Sequence, residues 1–462
     1  MTWRSIRLAA VAMVAAAATA SGQSVRGTVV ERGTGARLSG VVVQLLDSVG
    51  GPVSRTITGG DGSYRLTAPD TGGYSLRVLR IGYRPSVPVS VALRPGVDVV
   101  QPALYTGANV LLDTVRVAAR RECQVRPAVA SATFDAWEQI RAALVAAQAT
   151  ADKRLMTSLV AYERALDNRG ERVLRQATEL RTGVAGVPWQ SIPVDSLSSV
   201  GYAVTEPTGA TTYFAPDLSV LTSDQFLGEH CLRLVVENDR LGIAFEPTRS
   251  RRNLPEIEGT MWIDRPSKEL RSLDFKYVNV TRHEEELGGG HVEFTRLRDG
   301  EWLISTWTIR APVLETRYGA GGALREGNQI AGRIVREVHE KGGLLALARS
   351  GRDTLWTNPA LEVAGTVQDS AGRGVAGVSV TLRGTTIAAR TNSVGRFALE
   401  DVVPGAYMIE AQTDAMASAG QRESQYVSLT GARDDIRLRV PGDSQVVVAE
   451  CRNLDPRHGM LG

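Results

Sequence analysis

The feature that most constrains this chain is a repeat. Thr58-Gly59-Gly60-Asp61-Gly62-Ser63-Tyr64-Arg65-Leu66 returns as Thr391-Asn392-Ser393-Val394-Gly395-Arg396-Phe397-Ala398-Leu399. Each copy is a glycine-bearing turn followed by an aromatic residue, one spacer and a leucine. That pattern predicts a β-hairpin and its returning strand. The match extends beyond the hairpin. Gly27-Thr28-Val29 matches Gly365-Thr366-Val367, and residues 38–43 match 375–380. The step from Gly62 to Tyr74 is 12 residues, and so is the step from Gly395 to Tyr407. Registry along a whole module predicts one fold used twice, around a different middle segment.

The two copies also read each other's faces. Val41, Val43 and Leu45 align with Val378, Val380 and Leu382, whereas Val42 and Gln44 align with Ser379 and Thr381. Period-two alternation puts the first set in the core and the second outside. By the same logic Tyr64, Leu66, Tyr74 and Leu76, with Phe397, Leu399, Tyr407 and Ile409, are core residues. Strands are predicted at 25–30, 41–46, 53–58, 63–67, 74–79 and 88–93, spaced as in a β-sandwich.

Length allows about three domains, and 47 glycines among short apolar runs favour an all-β class. Arg4 and Arg7, an apolar run over 8–18 and the small residues Ala18 to Gly22 predict a cleaved secretory signal, with the cut after Ala20 or Gly22. No later stretch reads as a transmembrane helix. Net charge is +3, and loss of Arg4 and Arg7 leaves +1, which argues against a nucleic-acid partner.

The Gly-Thr-Val, Gly-Val-x-Val, Gly-x-Tyr/Phe-x-Leu and Gly-x-Tyr elements, with Ile81-Gly82-Tyr83-Arg84-Pro85, resemble the carboxypeptidase regulatory-like domain. The second copy departs at Thr413-Asp414-Ala415-Met416. The resemblance implies two transthyretin-like or carbohydrate-binding-like sandwiches, non-catalytic accessories of exported bacterial proteins.

In the middle segment Phe134, Trp137, Ile140, Leu144 and Val145 share one helical face, with Thr133 as the expected N-cap. A hairpin over 155–180 follows, turning at Asp167-Asn168-Arg169-Gly170, then a proline-bearing loop. Strands are predicted at 232–237, 259–264, 270–280, 291–297 and 302–310, an antiparallel meander. Gly259-Thr260-Met261-Trp262-Ile263-Asp264 and Leu273-Asp274-Phe275-Lys276-Tyr277 are similar to strands of the periplasmic lipoprotein-carrier family. That similarity implies an open half-barrel around a lipid cavity.

Candidate chemistry is sparse. His283 and Glu286 form H-x-x-E, with His291 or His339 as a third zinc ligand, but the motif sits in an expected acidic, solvated hairpin tip. No nucleophile elbow or P-loop is present. Of Cys123, Cys231 and Cys451, a Cys123–Cys231 disulfide is favoured, with Cys123–Cys451 its competitor. Trp189, Trp262, Trp302, Trp307 and Trp356 could form a sugar or lipid platform. The odd spacing of Trp302 and Trp307 predicts opposite faces and at least one in the core.

The expectation is therefore a mostly β protein. A signal at 1–22 precedes two small Greek-key-type β-sandwiches, at 23–118 and 356–450. These flank a helix-plus-meander domain at 119–355, and a tail runs over 451–462. The expected role is non-enzymatic binding or scaffolding at the bacterial periplasm or outer-membrane face, with a protein or envelope-component partner and no cofactor or metal. Its alternatives are carbohydrate binding, a lipid or lipoprotein carrier, and a zinc hydrolase.

Overall fold

The computed structural model describes residues 23–106, 123, 132–151, 155–207, 209–237, 240–318, 331–358, 362–429, 431, 433–442 and 446. The expected signal segment and Cys451 lie outside the described residues. The protein is mostly β, with two sandwiches around a helix and a large antiparallel sheet.

In the first sandwich one sheet orders Ser63–Ala68, Gln23–Glu31 and Asp98–Val100, with Ala103–Tyr105 also on the Gln23–Glu31 strand. The other orders Pro52–Ile57, Val42–Leu46, Gly72–Leu79 and Val89–Leu93. The second sandwich repeats the plan. Arg396–Leu399, Val363–Gln368 and Arg433–Arg439 form one sheet, and Ala388–Arg390, Ser379–Leu382, Gly405–Gln412 and Glu423–Leu429 the other. Gly62 and Gly395 turn with φ of 74° and 77°, a region costly for side-chain-bearing residues. Tyr64, Leu66, Leu76, Phe397, Leu399, Tyr407 and Ile409 are all buried. Tyr74 is only half-buried, and its hydroxyl donates to the Asp70 carbonyl at 2.9 Å. Where the second copy departs, Thr413 caps a short helix, Asp414–Ser418.

The middle sheet has strands β1 (Met156–Leu166), β2 (Val173–Val184), β3 (His230–Glu237), β4 (Arg240–Pro247) and β5 (Glu256–Asp264). It continues with β6 (Leu270–Val278), β7 (Gly289–Arg296), β8 (Trp302–Tyr318), β9 (Ala331–Ser350) and β10 (Asp353–Thr357). Their order is β2-β1-β9-β8-β7-β6-β5-β4-β3, with β10 on β9. One face packs on α1 (Ala132–Ala151) through Leu234, Ile243, Met261, Leu273, Val292 and Trp307. Those residues lie opposite one another across neighbouring strands, so they form one row. Thr133 falls inside α1, not at its cap.

Trp302 and Trp307 share this face, against the parity expectation. Phe294 pairs with Ile304 and Glu293 with Thr306, so Ser305 is an extra residue in β8. A bulge of one residue flips the alternation and brings both indoles into the core.

The sandwiches are docked on the middle sheet. Val42, Ile57 and Leu79 join the core that contains α1. Arg77 pairs with Glu138 at 2.9 Å, and Gln139 donates to the Tyr83 carbonyl at 2.9 Å. Val42 and Gln44 are therefore buried, although alternation within the module pointed them outward. Their counterparts Ser379 and Thr381 are half-buried. On the other side, Leu166, Val173, Val335 and Val338 share a core with the second sandwich. Gln176 N–H donates to the Gly384 carbonyl at 2.6 Å, and Arg164 donates to the Pro404 carbonyl at 2.7 Å.

Candidate functional site

Helix α1 covers only part of the sheet. Towards β1, β2 and β9 the same face borders a cavity of about 720 Å³. Its sheet wall includes Ala161, Ala177, Trp307, Ile309 and Ala311; its opposite wall is Pro188 to Ser191 with Thr212 to Ala215. The small side chains of Ala161, Ala177 and Ala311 leave the space, and Trp189 and Phe214 supply an apolar roof.

The roof is anchored by a few polar groups. The Asp217 carboxylate accepts from Ser191 N–H at 2.9 Å and caps the helix Leu218–Leu221 through Ser219 N–H and Val220 N–H. Tyr213 donates to Glu284 at 2.7 Å and packs on Tyr277, ring centroids 5.0 Å apart. Glu284 in turn closes the capping box of the helix Arg282–Leu287 with Thr281. Burial pushes the Tyr213 phenol well up from its ordinary range.

Charge enters the lining only as pairs. Lys341 meets Glu163 at 2.8 Å and Arg181 meets Glu179 at 2.8 Å. His339 bonds Glu337 at 2.9 Å, and Arg175 holds Glu337 in a fork of 2.8 and 2.9 Å. That fork, with His339 beside it, draws the Glu337 carboxyl down to about 2. By contrast, three polar atoms at the apolar end have no partner among the described residues: Trp189 Nε1, Trp307 Nε1 and Ser191 Oγ. The two indoles lie with centroids 5.4 Å apart.

The zinc constellation is not assembled. His283 and Glu286 sit on the helix Arg282–Leu287, where a hairpin tip was expected, and Glu286 pairs with Arg282 at 2.7 Å. His291 bonds Asp274 at 2.6 Å on the face away from α1, whereas His339 lies on the opposite face, the one that carries Trp307. Among the described residues no group of three or more His, Cys, Asp or Glu could hold a metal. His230 is buried against Phe226 and Phe245, while its neighbour Cys231 is joined to Cys123, 108 residues away in sequence. Burial takes His230 down to about 4 and Glu256 beside it up to about 7.

Of the five tryptophans considered from sequence, only Trp189 and Trp307 line the cavity. Trp302 is core, Trp262 donates to Asp274 at 3.1 Å on the face away from α1, and Trp356 packs against the cluster of Ala348 and Leu155. Gly342-Gly343 was the missed signal. Two glycines inside a strand mark close approach of other groups, here the rings of Tyr162 and Trp307.

A search of curated proteins gives no match. Among solved structures, a cohesin–X-dockerin complex mutant from Acetivibrio cellulolyticus is 21% identical over 17% of this chain and 51% of its own, TM-score 0.13. This chain thus spans about half the length of that one. BcpA, the major pilin subunit of Bacillus cereus, is 11% identical over 91% of this chain and 98% of its own, TM-score 0.16. The Bacillus anthracis TIE protein is 10% identical over 91% of this chain and 50% of its own, TM-score 0.16. Superpositions this poor carry no argument about fold or partners. The sequence family is different in kind, because it matches the two repeats and leaves the middle sheet unmatched. Residues 24–103 and 362–446 match the carboxypeptidase regulatory-like domain, and the chain carries two such domains.

Proposed function

We propose that this chain is an exported, non-enzymatic binding protein that holds an amphiphile in the concave cavity of its middle sheet. The observation that carries the reading is the cavity itself: about 720 Å³, roofed by Trp189 and Phe214, with paired charges along one side. Small-molecule sites are typically concave, mostly apolar and furnished with a few placed polar groups. A sugar site would place an aromatic row in solvent, whereas the sandwich aromatics Tyr64, Phe397 and Tyr407 are core.

In this reading the units are 23–118, 119–355 and 356–450, and the sandwiches hold the middle unit and offer their loops to an envelope partner. The Cys123–Cys231 tie fits an oxidising compartment, the periplasm or the cell exterior. The test is to purify the mature chain from an exported pool, extract it with organic solvent and identify what leaves by mass spectrometry. An acyl-chain compound released in stoichiometric amount supports the proposal. Protein that releases none, and that takes up none when offered lysophospholipid, refutes it.

A further inference from the structure

The two sandwiches build the same sheet but furnish its open face differently. In the second sandwich that sheet is Arg396–Leu399, Val363–Gln368 and Arg433–Arg439. Arg396 and Arg437 both pair with Thr366, and Arg439 pairs with the next outward position, Gln368. Two strand spacings, about 10 Å, separate Arg396 from Arg437, and one outward step, about 7 Å, separates Arg437 from Arg439. All three arginines are exposed, and none has an acidic partner among the described residues. The side chains of Thr366 and Gln368 are likewise unbonded there. Asp435, two residues before Arg437, is already held by Arg433 in a fork of 2.6 and 3.0 Å. Glu362, Glu400 and Asp434 gather at the other end of the sheet, around Val363, about 10 Å along the strand from Thr366. The first sandwich shows that the fold does not need these arginines. Ser63 stands where Arg396 does, opposite Thr28, and Leu104 stands where Arg439 does, opposite Val30. The arginines that its face carries, Arg26 and Arg65, are both met by Asp98.

We infer that this face of the second sandwich docks an acidic polysaccharide, a chain of uronate sugars, across Arg396, Thr366 and Arg437 with Gln368 and Arg439 alongside. An exposed guanidinium without a partner is a ready fork for a carboxylate. Thr366 lies between two of the arginines and Gln368 beside the third, so each row sets a hydroxyl or an amide next to a cation. A polyuronate repeats the matching pair, a carboxylate and hydroxyls, on every sugar. Such a ligand is held by charge and hydrogen bonds, so it needs no exposed row of aromatic rings. An anionic membrane fits less well. Elements that lie on lipid combine basic residues with apolar ones that enter it, whereas the outward positions between these arginines and beyond them are Ala364, Thr366, Gln368 and Ala398. The site shares no residue with the cavity of the middle sheet, so it stands or falls apart from the amphiphile reading.

Fluorescence polarisation of a labelled galacturonate oligosaccharide with the full mature chain tests this at low salt. Wild type is expected to bind it, to ignore a neutral maltose oligosaccharide of the same length, and to lose affinity as added salt screens the charges. Arg396→Gln, Arg437→Gln and Arg439→Gln should each weaken binding about two- to fivefold, the range of one exposed ion pair, and the triple variant roughly tenfold or more. All three positions are exposed, so the thermal midpoint should hold. Arg437→Glu gives the same reading by charge reversal if the triple variant fails to fold. Arg26→Gln combined with Arg65→Gln, on the first sandwich, should leave binding unchanged. The proposal is overturned if wild type binds no galacturonate, if binding survives the triple variant, or if the neutral oligosaccharide binds equally well. Equal binding of phosphatidylglycerol vesicles or of polyglutamate overturns it too, because the face would then select charge without selecting a glycan.

Discussion

The indole of Trp307 lies across the backbone of Gly343, close enough that a β-carbon on the glycine would stand 2.6 Å from Nε1. The bulge at Ser305 turns Trp307 to this face, and the missing side chain lets it lie flat. Gly343→Ala is expected to displace the ring. Overpacking of this kind costs about 1–3 kcal/mol. Urea unfolding should show the loss, and the intrinsic tryptophan emission should shift with it. An unchanged midpoint and spectrum would mean that the ring has room to move.

The same alternate position has different surroundings in the two sandwiches. Val42 is covered by α1, whereas Ser379 is half-exposed. Val42→Asp should therefore destabilise by roughly 3 kcal/mol or more, because it buries an unpaired charge. Ser379→Asp should stay within about 0.5 kcal/mol. Equal effects in thermal or urea unfolding would contradict a docked first sandwich.

Glu340 is fully buried and is shared by Arg164 at 2.5 Å, Arg310 at 2.7 Å and the Tyr162 hydroxyl at 3.1 Å. Arg164 also reaches the second sandwich through the Pro404 carbonyl. Glu340→Ala leaves a buried guanidinium unpaired, which costs about 3–5 kcal/mol. Limited proteolysis should then release the second sandwich faster than from wild type. A variant as stable and as protease-resistant as wild type would remove the junction from the account.

His291 is hydrogen-bonded to Asp274, with Glu293 behind it, and its imidazole is raised from 6.5 to about 9. A group whose folded pKa is raised contributes stability that is complete below its unfolded pKa and lost as pH rises through the folded one. Wild type should thus lose stability between pH 6.5 and 9, and Asp274→Asn should flatten that slope. The imidazole is substantially exposed, so the effect is modest. Parallel slopes for the two proteins would remove Asp274 as the cause.

Cys231→Ser opens a link between residues 108 apart. Losing such a closure costs about 2–5 kcal/mol. Non-reducing peptide mapping of the exported chain should recover Cys123 and Cys231 in one linked peptide. Recovery of Cys123 with Cys451 would reassign the pair.

Much of the fold was legible because the chain writes it twice. Alternation in one module is weak, but agreement between Val41 and Val378 or Tyr64 and Phe397 filters accidental apolar positions from core ones. Strand β9 was not legible. Glu337, Glu340 and Lys341 interrupt its apolar pattern, because their charges are met by Arg175, Arg310 and Glu163 on other strands of the sheet. The cavity was not legible either. Trp189 and Trp307 are 118 positions apart, and nothing local distinguishes them from Trp302 or Trp262.

By itself, the sequence determined the glycine turns at Gly62 and Gly395, the inward rows of both sandwiches and the helical face of Trp137, Ile140 and Leu144. These depend on backbone sterics and on periodicity, which are properties of neighbours in the chain. Only the tertiary structure decided that α1 covers Val42, that the Ser305 bulge turns Trp307 inward, and that two glycines of β9 lie under aromatic rings. Each of these depends on which distant segment arrives at a given face, and hydrophobic burial rewards that arrival without naming the partner in the local sequence.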